Sequence, residues 1–262
     1  MTFLWVPKTQ RHGLIQPQAN AALASALTKT SALLRLDQST AVSAEWETVV
    51  DSLNLANPAS QTDADRKPAV GTANGQPTAV FDGTDVWPWT IAANNNPTTV
   101  FELYFWIKPA SVATRQRILH AGIAVSDNKI VVDYVISLFQ VNFYRNATAG
   151  RQLTTTTGPT AGVWQFVRVS FNGAGATEAD KMRVLVDEVD CGGTFADLGA
   201  GGTPTALNSA AGAYLIGAAS NSDTPSTPLL NGTEIGPFIG IGNTALTATE
   251  AAALMRFLRP KA

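Results

Sequence analysis

The stretch "VFELYFWIKP", residues 100–109, decides the fold class. Every second residue is apolar: Phe101, Leu103, Phe105 and Ile107. The positions between them carry charged or amphipathic side chains: Glu102, Tyr104, Trp106 and Lys108. A period of two is the pattern of a β-strand that buries one face. We therefore expect a strand here, with the apolar set turned toward a core.

Further stretches have the same apolar texture and end in turn residues, so they are also predicted to be strands. They are "RQRILHAG" (115–122), "KIVVDYVISLFQVNFYRNAT" (129–148), "VWQFVRVSFNG" (163–173), "KMRVLVDEVDCGG" (181–193), "AYLIGAAS" (213–220) and "EIGPFIGIG" (234–242). The second of these holds two strands, with Phe139, Val141 and Phe143 on one face. Nine or more strands without an alternating β–α pattern indicate an all-β, antiparallel β-sandwich.

The two ends of the chain differ from this pattern. Residues 16–34, "QPQANAALASALTKTSALL", are rich in Ala and Leu and predict a short helix or an extended arm. At the other end Thr247 and Glu250 have the spacing of a capping box, and Pro260 ends the helix that follows. We expect residues 1–30 to form an N-terminal arm and residues 31–262 to form one sandwich domain with a short C-terminal helix.

Composition narrows the class of partner. The net charge of the 262-residue chain is −2 and only 15% of the residues are charged, so nothing favours nucleic acid or a membrane surface as a partner. A single cysteine, Cys191, excludes a disulfide within the chain. The first residues lack the apolar run of a secretory signal. These features suit a protein carried on a virus particle, with an extracellular protein as the alternative.

The order of motifs resembles a known family. It starts with "LLRLDQSTAV" (33–42) and "NGQPTAVFDGTDVW" (74–87), continues with "ELYFWIKP", "VWQFVRVSFNG", "MRVLVDEV" and "YLIGA", and closes with "GPFIGIGNTALTATEAAALMRFL" (236–258). Together these pieces resemble laminin-G-like domains of the concanavalin A-like lectin/glucanase superfamily, as found in phage and bacterial surface proteins. The resemblance covers about residues 33–259. It implies a jelly-roll sandwich of the concanavalin A-like type, in which Phe81 packs inward and Asp82-Gly83 turns the chain.

Some proteins with this fold hydrolyse glycosidic bonds, and the glucanase branch uses a strand that reads Glu-x-Asp-x-x-Glu. The nearest match here has Glu188 and Asp190, but Gly193 stands where the second Glu is required. Since hydrolysis needs a pair of carboxyl groups, we expect no enzymatic activity.

No cofactor or metal site is assigned from the sequence. His12, His120 and the single cysteine do not have the spacing of a zinc site. Calcium stays open, because many laminin-G-like domains bind it through loop carboxylates. The candidate calcium ligands are Asp82, Asp85, Asp127 and Asp223.

A carbohydrate site needs an aromatic ring face beside polar groups that fix the sugar's orientation. The stretch "DVWPWTIAANNNP" (85–97) carries such residues, and a second group follows the strand at "FYRNAT" (143–148). The candidate carbohydrate-binding residues are Trp87, Trp89, Asn94, Asn95, Tyr144 and Arg145. The alternative is that one tryptophan of the pair belongs to the core and the Asn run is only a turn.

These observations favour a non-enzymatic structural or decoration protein of a virion, located in a capsid or tail surface and contacting host glycans. Its expected partners are neighbouring virion proteins or copies of itself, bound through the N-terminal arm, and surface polysaccharide. The alternative is a free-standing carbohydrate-binding lectin or binding module.

Overall fold

The computed structural model describes residues 17–39, 41, 45–53, 58–91, 97–122, 129–146, 148–209, 213–218, 227–229 and 231–260. Within these residues the chain forms three α-helices and seventeen β-strands. The helices are α1 (Pro17–Thr28), α2 (Glu178–Lys181) and α3 (Ala248–Arg256). The strands are β1 (Thr30–Arg35), β2 (Thr48–Asp51), β3 (Ala59–Ser60), β4 (Ala69–Ala73), β5 (Gln76–Phe81), β6 (Trp87–Thr90), β7 (Val100–Lys108), β8 (Gln116–Ala121), β9 (Ile130–Val135), β10 (Leu138–Tyr144), β11 (Gly150–Thr154), β12 (Gln165–Asn172), β13 (Met182–Val186), β14 (Val189–Asp190), β15 (Thr194–Leu198), β16 (Ala213–Ile216) and β17 (Thr233–Gly242).

The strands form two antiparallel layers. Layer A runs in the order β4–β5–β17–β7–β12–β13–β14, with β1 and β2 beside the second half of β17. Layer B runs in the order β3–β6–β16–β8–β9–β10–β11–β15. Strand β2 pairs with β1 in one layer and with β3 in the other, so it joins the two. This confirms the all-β sandwich with a short C-terminal helix.

The main core lies between the two layers. It takes the whole apolar set of β7, namely Phe101, Leu103, Phe105 and Ile107, and the inward set of β10, namely Phe139, Val141 and Phe143. Each large apolar side chain buried in this way contributes about 1.5–3 kcal/mol relative to an exposed one. The period of two therefore identified the buried face of both strands correctly.

The opposite face of β7 is buried as well, which the alternation alone did not predict. Tyr104 and Trp106 pack with Phe166 and Phe238 in a second cluster outside layer A. Apolar side chains of the two longer helices, Ala26 of α1 and Leu254 of α3 among them, cover this cluster. Gly240 of β17 makes room for Tyr104, because a Cβ there would lie 2.1 Å from its ring. The aromatic character of these outward positions is the reason that helices cover them.

The structure describes part of the expected N-terminal arm, namely residues 17–30. Helix α1 packs on α3, and Thr30 already pairs with Gly242 of β17. The contact is fixed by Glu250, which accepts hydrogen bonds from Ser25 Oγ at 2.5 Å and Lys29 Nζ at 2.7 Å. The apolar side chains of Leu23, Ala26 and Leu27 thus join the cluster that covers layer A. Residues 1–16 lie outside the described residues.

The "FDG" stretch has the structural role that the resemblance implied. Phe81 is fully buried and meets Trp87 edge to face, with ring centroids 5.6 Å apart. Gly83 has φ +102°, a conformation that favours glycine, at the turn after β5. Gly217 has φ +94°, and a Cβ at that position would lie 2.4 Å from the Phe81 ring. The turn therefore delivers Phe81 into a space that only glycine leaves open.

Substituting Glu250→Gln tests whether α1 is an integral part of the domain. Burial alone would raise the pKa of Glu250, but hydrogen bonds from Lys29, Ser25 and Thr247 outweigh it and hold that pKa at about 2. We expect the variant to lose about 1–3 kcal/mol of unfolding free energy at pH 7, measured by urea denaturation, because it weakens both the α3 cap and the link to α1.

The pH dependence adds a check on this assignment. The carboxylate stabilises the fold above its ordinary pKa of 4.5 and loses its effect as the pH falls toward 2, so the difference between the two proteins should shrink over that interval. Asp180→Asn is the matched control, because Asp180 closes the same kind of capping box on the exposed helix α2. Equal losses in the two variants would show that the link to α1 contributes nothing.

Candidate functional site

The outer face of layer B carries a row of polar side chains. The three described helices contact layer A, and α1 and α3 cover its outer surface. Side chains alternate along each strand, so residues of β10 that do not enter the core point outward. We call the resulting surface the layer-B face and define it by Arg115, Arg117, Asp133, Gln140, Asn142, Tyr144 and Gln152.

The register of neighbouring strands brings these residues into line across the sheet. Asp133 of β9 pairs with Arg117 on one side and with Gln140 on the other. Two residues further along β10, Asn142 pairs with Gln152 of β11. Residues directly opposite in an antiparallel pair have Cβ atoms about 4.5–5.5 Å apart, so polar residues in register meet.

One half of the face is built around a buried carboxylate. Asp133, with its side chain 1% exposed, accepts hydrogen bonds from Arg117 Nε at 2.6 Å and Arg117 Nη2 at 3.0 Å. Arg115 Nε lies 3.0 Å from the same carboxylate, and Arg115 Nη2 donates to Gln140. Two guanidinium groups thus share one carboxylate, an arrangement of strong, charge-assisted hydrogen bonds.

The other half of the face is made of amides and an aromatic ring. Gln152 Nε2 donates to Asn142 Oδ1 at 2.9 Å, and Asn142 Nδ2 donates to the Tyr144 hydroxyl at 3.4 Å. All three side chains are partly exposed. Amides offer donors and acceptors together, and a tyrosine adds an apolar ring with a polar tip. This combination matches the alternating hydroxyl and apolar surfaces of a sugar.

The structure brings together only part of the predicted carbohydrate site. Trp87 and Trp89 are buried in the main core: Trp87 Nε1 donates to the Trp46 carbonyl at 3.1 Å, and the Trp89 ring lies 6.3 Å from that of Tyr214. A sugar cannot stack on either ring in this arrangement, and the burial goes further than the alternative, which placed only one tryptophan in the core. Trp87 and Trp89 lie on the same face of β6 because they are two positions apart, with Pro88 between them.

The remaining predicted residues fall in two groups. Asn94 and Asn95 lie outside the described residues. Tyr144 belongs to the layer-B face, and Arg145 follows it as an exposed residue whose N–H donates to the Ala149 carbonyl at 3.0 Å. Asn142 and Gln152 were not among the predicted residues. The alternation around Phe139, Val141 and Phe143 did contain the signal for Asn142, but Gln152 requires the pairing of β10 with β11.

The two carboxylates considered for catalysis lie on layer A. Glu188 is in the turn between β13 and β14 and forms an ion pair with Arg168 at 2.9 Å. Asp190 forms an ion pair with Arg183 at 2.7 Å. Each carboxylate is engaged by its own arginine, in accordance with the interpretation of this segment as a polar strand end.

The candidate calcium ligands are only partly described, since Asp127 and Asp223 lie outside the described residues. Asp82 Oδ1 accepts hydrogen bonds from the Thr84 N–H and hydroxyl at 2.8 and 2.7 Å, beside an open cleft of about 360 Å³. Asp85 Oδ2 accepts from the Asp82 N–H at 2.7 Å. Among the described residues no three His, Cys, Asp or Glu side chains are placed to hold a metal ion.

A buried lysine lies beside the layer-B face. The Lys129 carbonyl accepts a hydrogen bond from the Tyr144 N–H at 2.9 Å, so the two residues are neighbours across β9 and β10. The Lys129 side chain is buried, and burial lowers the pKa of its ammonium group to about 7. A buried cationic group therefore lies beside the face, in addition to Arg115 and Arg117.

No protein-family model matches the sequence, and no curated protein matches it either. Solved structures do match. The ligand binding domain of botulinum neurotoxin serotype D, in complex with N-acetylneuraminic acid, aligns with a TM-score of 0.59 at 11% identity over 89% of this chain and 52% of that one. A structure of botulinum neurotoxin type C, a toxin described as entering cells through interaction with two ganglioside molecules, aligns with a TM-score of 0.60. The identity is 14%, over 90% of this chain and 53% of that one.

A sialidase from Trypanosoma rangeli, in complex with 2,3-difluorosialic acid, gives a TM-score of 0.54 at 13% identity over 87% of this chain and 32% of the enzyme. The chain thus spans about half of the toxin chains and a third of the sialidase. At these identities the similarity shows the fold alone, a β-sandwich. The described helices include none long and apolar enough to cross a membrane.

Substituting Asp85→Asn tests the electrostatics of the loop after β5. Burial, together with the nearby Asp82 and Glu45 carboxylates, raises the pKa of Asp85 to about 7. Between pH 4 and pH 7 the folded state therefore keeps a proton that the unfolded state has released, so folding stability falls as the pH rises. In the variant, the side-chain amide oxygen at position 85 still accepts the hydrogen bond from the Asp82 N–H, and the amide carries no charge at any of these pH values.

Over that interval we expect the variant to gain about 2–4 kcal/mol relative to the unsubstituted protein. Urea denaturation at pH 4, 5.5 and 7 measures this difference. Parallel stability profiles for the two proteins would mean that Asp85 ionises normally in the folded state.

Proposed function

We propose that this chain is a non-enzymatic glycan-binding module and that the layer-B face is its binding surface. The observation that carries the proposal is the linked row of Gln152, Asn142 and Tyr144 on a sheet face opposite the helix-covered one. Solved structures with the same fold supply further support, because they include domains described with N-acetylneuraminic acid and with gangliosides.

Binding without hydrolysis follows from the carboxylates. A glycosidase that works through paired carboxylates needs both groups at the sugar. On the layer-B face Asp133 is buried and held by two arginines, and Glu188 and Asp190 are paired on the other layer. The arrangement favours recognition of a sugar rather than proton transfer to one.

Substituting Asn142→Ala tests the binding surface. The variant loses the amide that connects Gln152 and Tyr144, so we expect glycan affinity to fall by about tenfold or more, equivalent to one or two lost hydrogen bonds. The measurement is a glycan array of neutral and sialylated oligosaccharides, followed by calorimetric titration of the best-binding sugar.

The matched control is Thr72→Ala, an exposed strand position on layer A. Thr72→Ala should bind the sugar with the affinity of the unsubstituted protein. The melting temperatures of both variants should lie within a few degrees of that of the unsubstituted protein. Unchanged affinity in Asn142→Ala would remove this row from the binding surface, and the absence of binding to any array sugar would overturn the proposal.

We further propose that the module is carried on the surface of a virus particle, as capsid or tail decoration, with an extracellular lectin as the alternative. The support is the resemblance to laminin-G-like domains of phage proteins and the low proportion of charged residues, 15%. Since α1 packs on α3, any contact with neighbouring virion proteins or copies of itself through an arm falls to residues 1–16.

Light scattering tests this placement. We expect the whole chain to self-associate and a version that starts at Pro17 to be a monomer, because that version keeps α1 on layer A but lacks the preceding residues. If both proteins are monomers, the first 16 residues are not an assembly device, and the extracellular lectin becomes the better interpretation.

A further inference from the structure

We propose that the glycan bound on the layer-B face is acidic and that Arg115 binds its carboxylate. The inference rests on the proposed function and specifies its ligand class. Its basis is the pair of guanidinium groups, Arg115 and Arg117, that share the single carboxylate of Asp133. One positive charge on the face is left without a partner carboxylate among the described residues.

This surplus charge is local. The chain as a whole has a net charge of −2, so its composition does not make the layer-B face positive. Asp133 already accepts two hydrogen bonds from Arg117, at 2.6 and 3.0 Å, and forms an ion pair with Arg115 at 3.0 Å, so its single charge cannot neutralise both arginines. The surplus lies at the more exposed arginine, since 44% of the Arg115 side chain is exposed but only 14% of the Arg117 side chain.

Arg115 is also held in a fixed orientation. Its Nε lies 3.0 Å from an Asp133 oxygen in an ion pair and one N–H of Nη2 donates to Gln140, so two of the five N–H groups of the guanidinium face these partners. The other N–H groups have no partner among the described residues. A side chain that is already ordered loses little rotamer entropy when it binds a ligand, and planar N–H groups match a planar carboxylate.

The position of Arg115 suits a sugar bound to the amide row. Gln140, which Arg115 contacts, lies two residues from Asn142 on the same face of β10, a distance of about 6.6–6.8 Å along the strand. One acidic sugar residue can therefore place its carboxylate at Arg115 and its hydroxyl groups at Asn142 and Gln152.

The other cationic groups near the face fit the role less well. Hydrogen bonds from the Gly202 N–H and from Arg151 lower the pKa of the Asp197 carboxyl, and the charge of Arg145 adds to this, so a carboxylate already lies near Arg145. Lys129 is buried, with 1% of the residue exposed. Arg115 is thus the group that combines exposure, fixed geometry and surplus charge.

The experiment compares sialyllactose, lactose and a sulfated lactose by calorimetric titration with the whole chain. We expect sialyllactose to bind at least about tenfold more tightly than lactose, because a bidentate charge-assisted contact is added. Sulfated lactose separates recognition of a planar carboxylate from simple attraction of an anion, and we expect it to bind more weakly than sialyllactose.

Arg115→Gln should abolish the preference, so that the variant binds sialyllactose and lactose with equal affinity. The matched control is Arg183→Gln, which removes an arginine of equal exposure, 45%, from its ion pair with Asp190 on layer A and should keep the preference. Melting temperatures of both variants check that they are folded.

The outcomes separate the two proposals. Equal affinities for sialyllactose and lactose, equal binding of the sulfated sugar, a preference that survives Arg115→Gln, or binding to neutral array sugars only would overturn this inference and leave glycan binding intact. If no sugar on the array binds, the proposed function fails as well.

Discussion

The burial of strand β7 on both faces is the constraint on which the rest of the structure depends. It pairs with β12 and β17 in the middle of layer A, and its inward side chains enter the main core. Its outward Tyr104 and Trp106 would expose large aromatic surfaces in a bare sandwich. Helices α1 and α3 remove that exposure, so the domain needs elements from both ends of the chain to cover one central strand.

Covering layer A in this way makes the two outer faces unequal. Helices occupy the outer surface of layer A, whereas the outer positions of β9, β10 and β11 carry Asp133, Asn142 and Gln152. A polar sheet face is stable in water only if its groups form hydrogen bonds with one another or with solvent. The ladder of amides and guanidinium groups meets that need, and it also leaves donors and acceptors at the surface where a ligand can reach them.

The sequence predicted what local alternation determines and missed what depends on distant pairing. A period of two identified the core faces of β7 and β10 and, with them, the sandwich. The same rule places Trp87 and Trp89 on one face, yet composition alone suggested a binding loop. Coverage of layer A by α1 requires the contact of Ser25 and Lys29 with Glu250, more than 200 residues away, and no local pattern records it.

The charge on the layer-B face follows from the same physics. A carboxylate buried in a sheet, such as Asp133, is tolerated only when strong donors replace its lost hydration. Arg117 donates two hydrogen bonds from the neighbouring strand, and Arg115 adds an ion pair from the preceding loop. Two cations for one anion stabilise the carboxylate and leave the face positive. The requirement for a satisfied interior therefore creates, at the surface, a guanidinium group in the orientation that an acidic ligand requires.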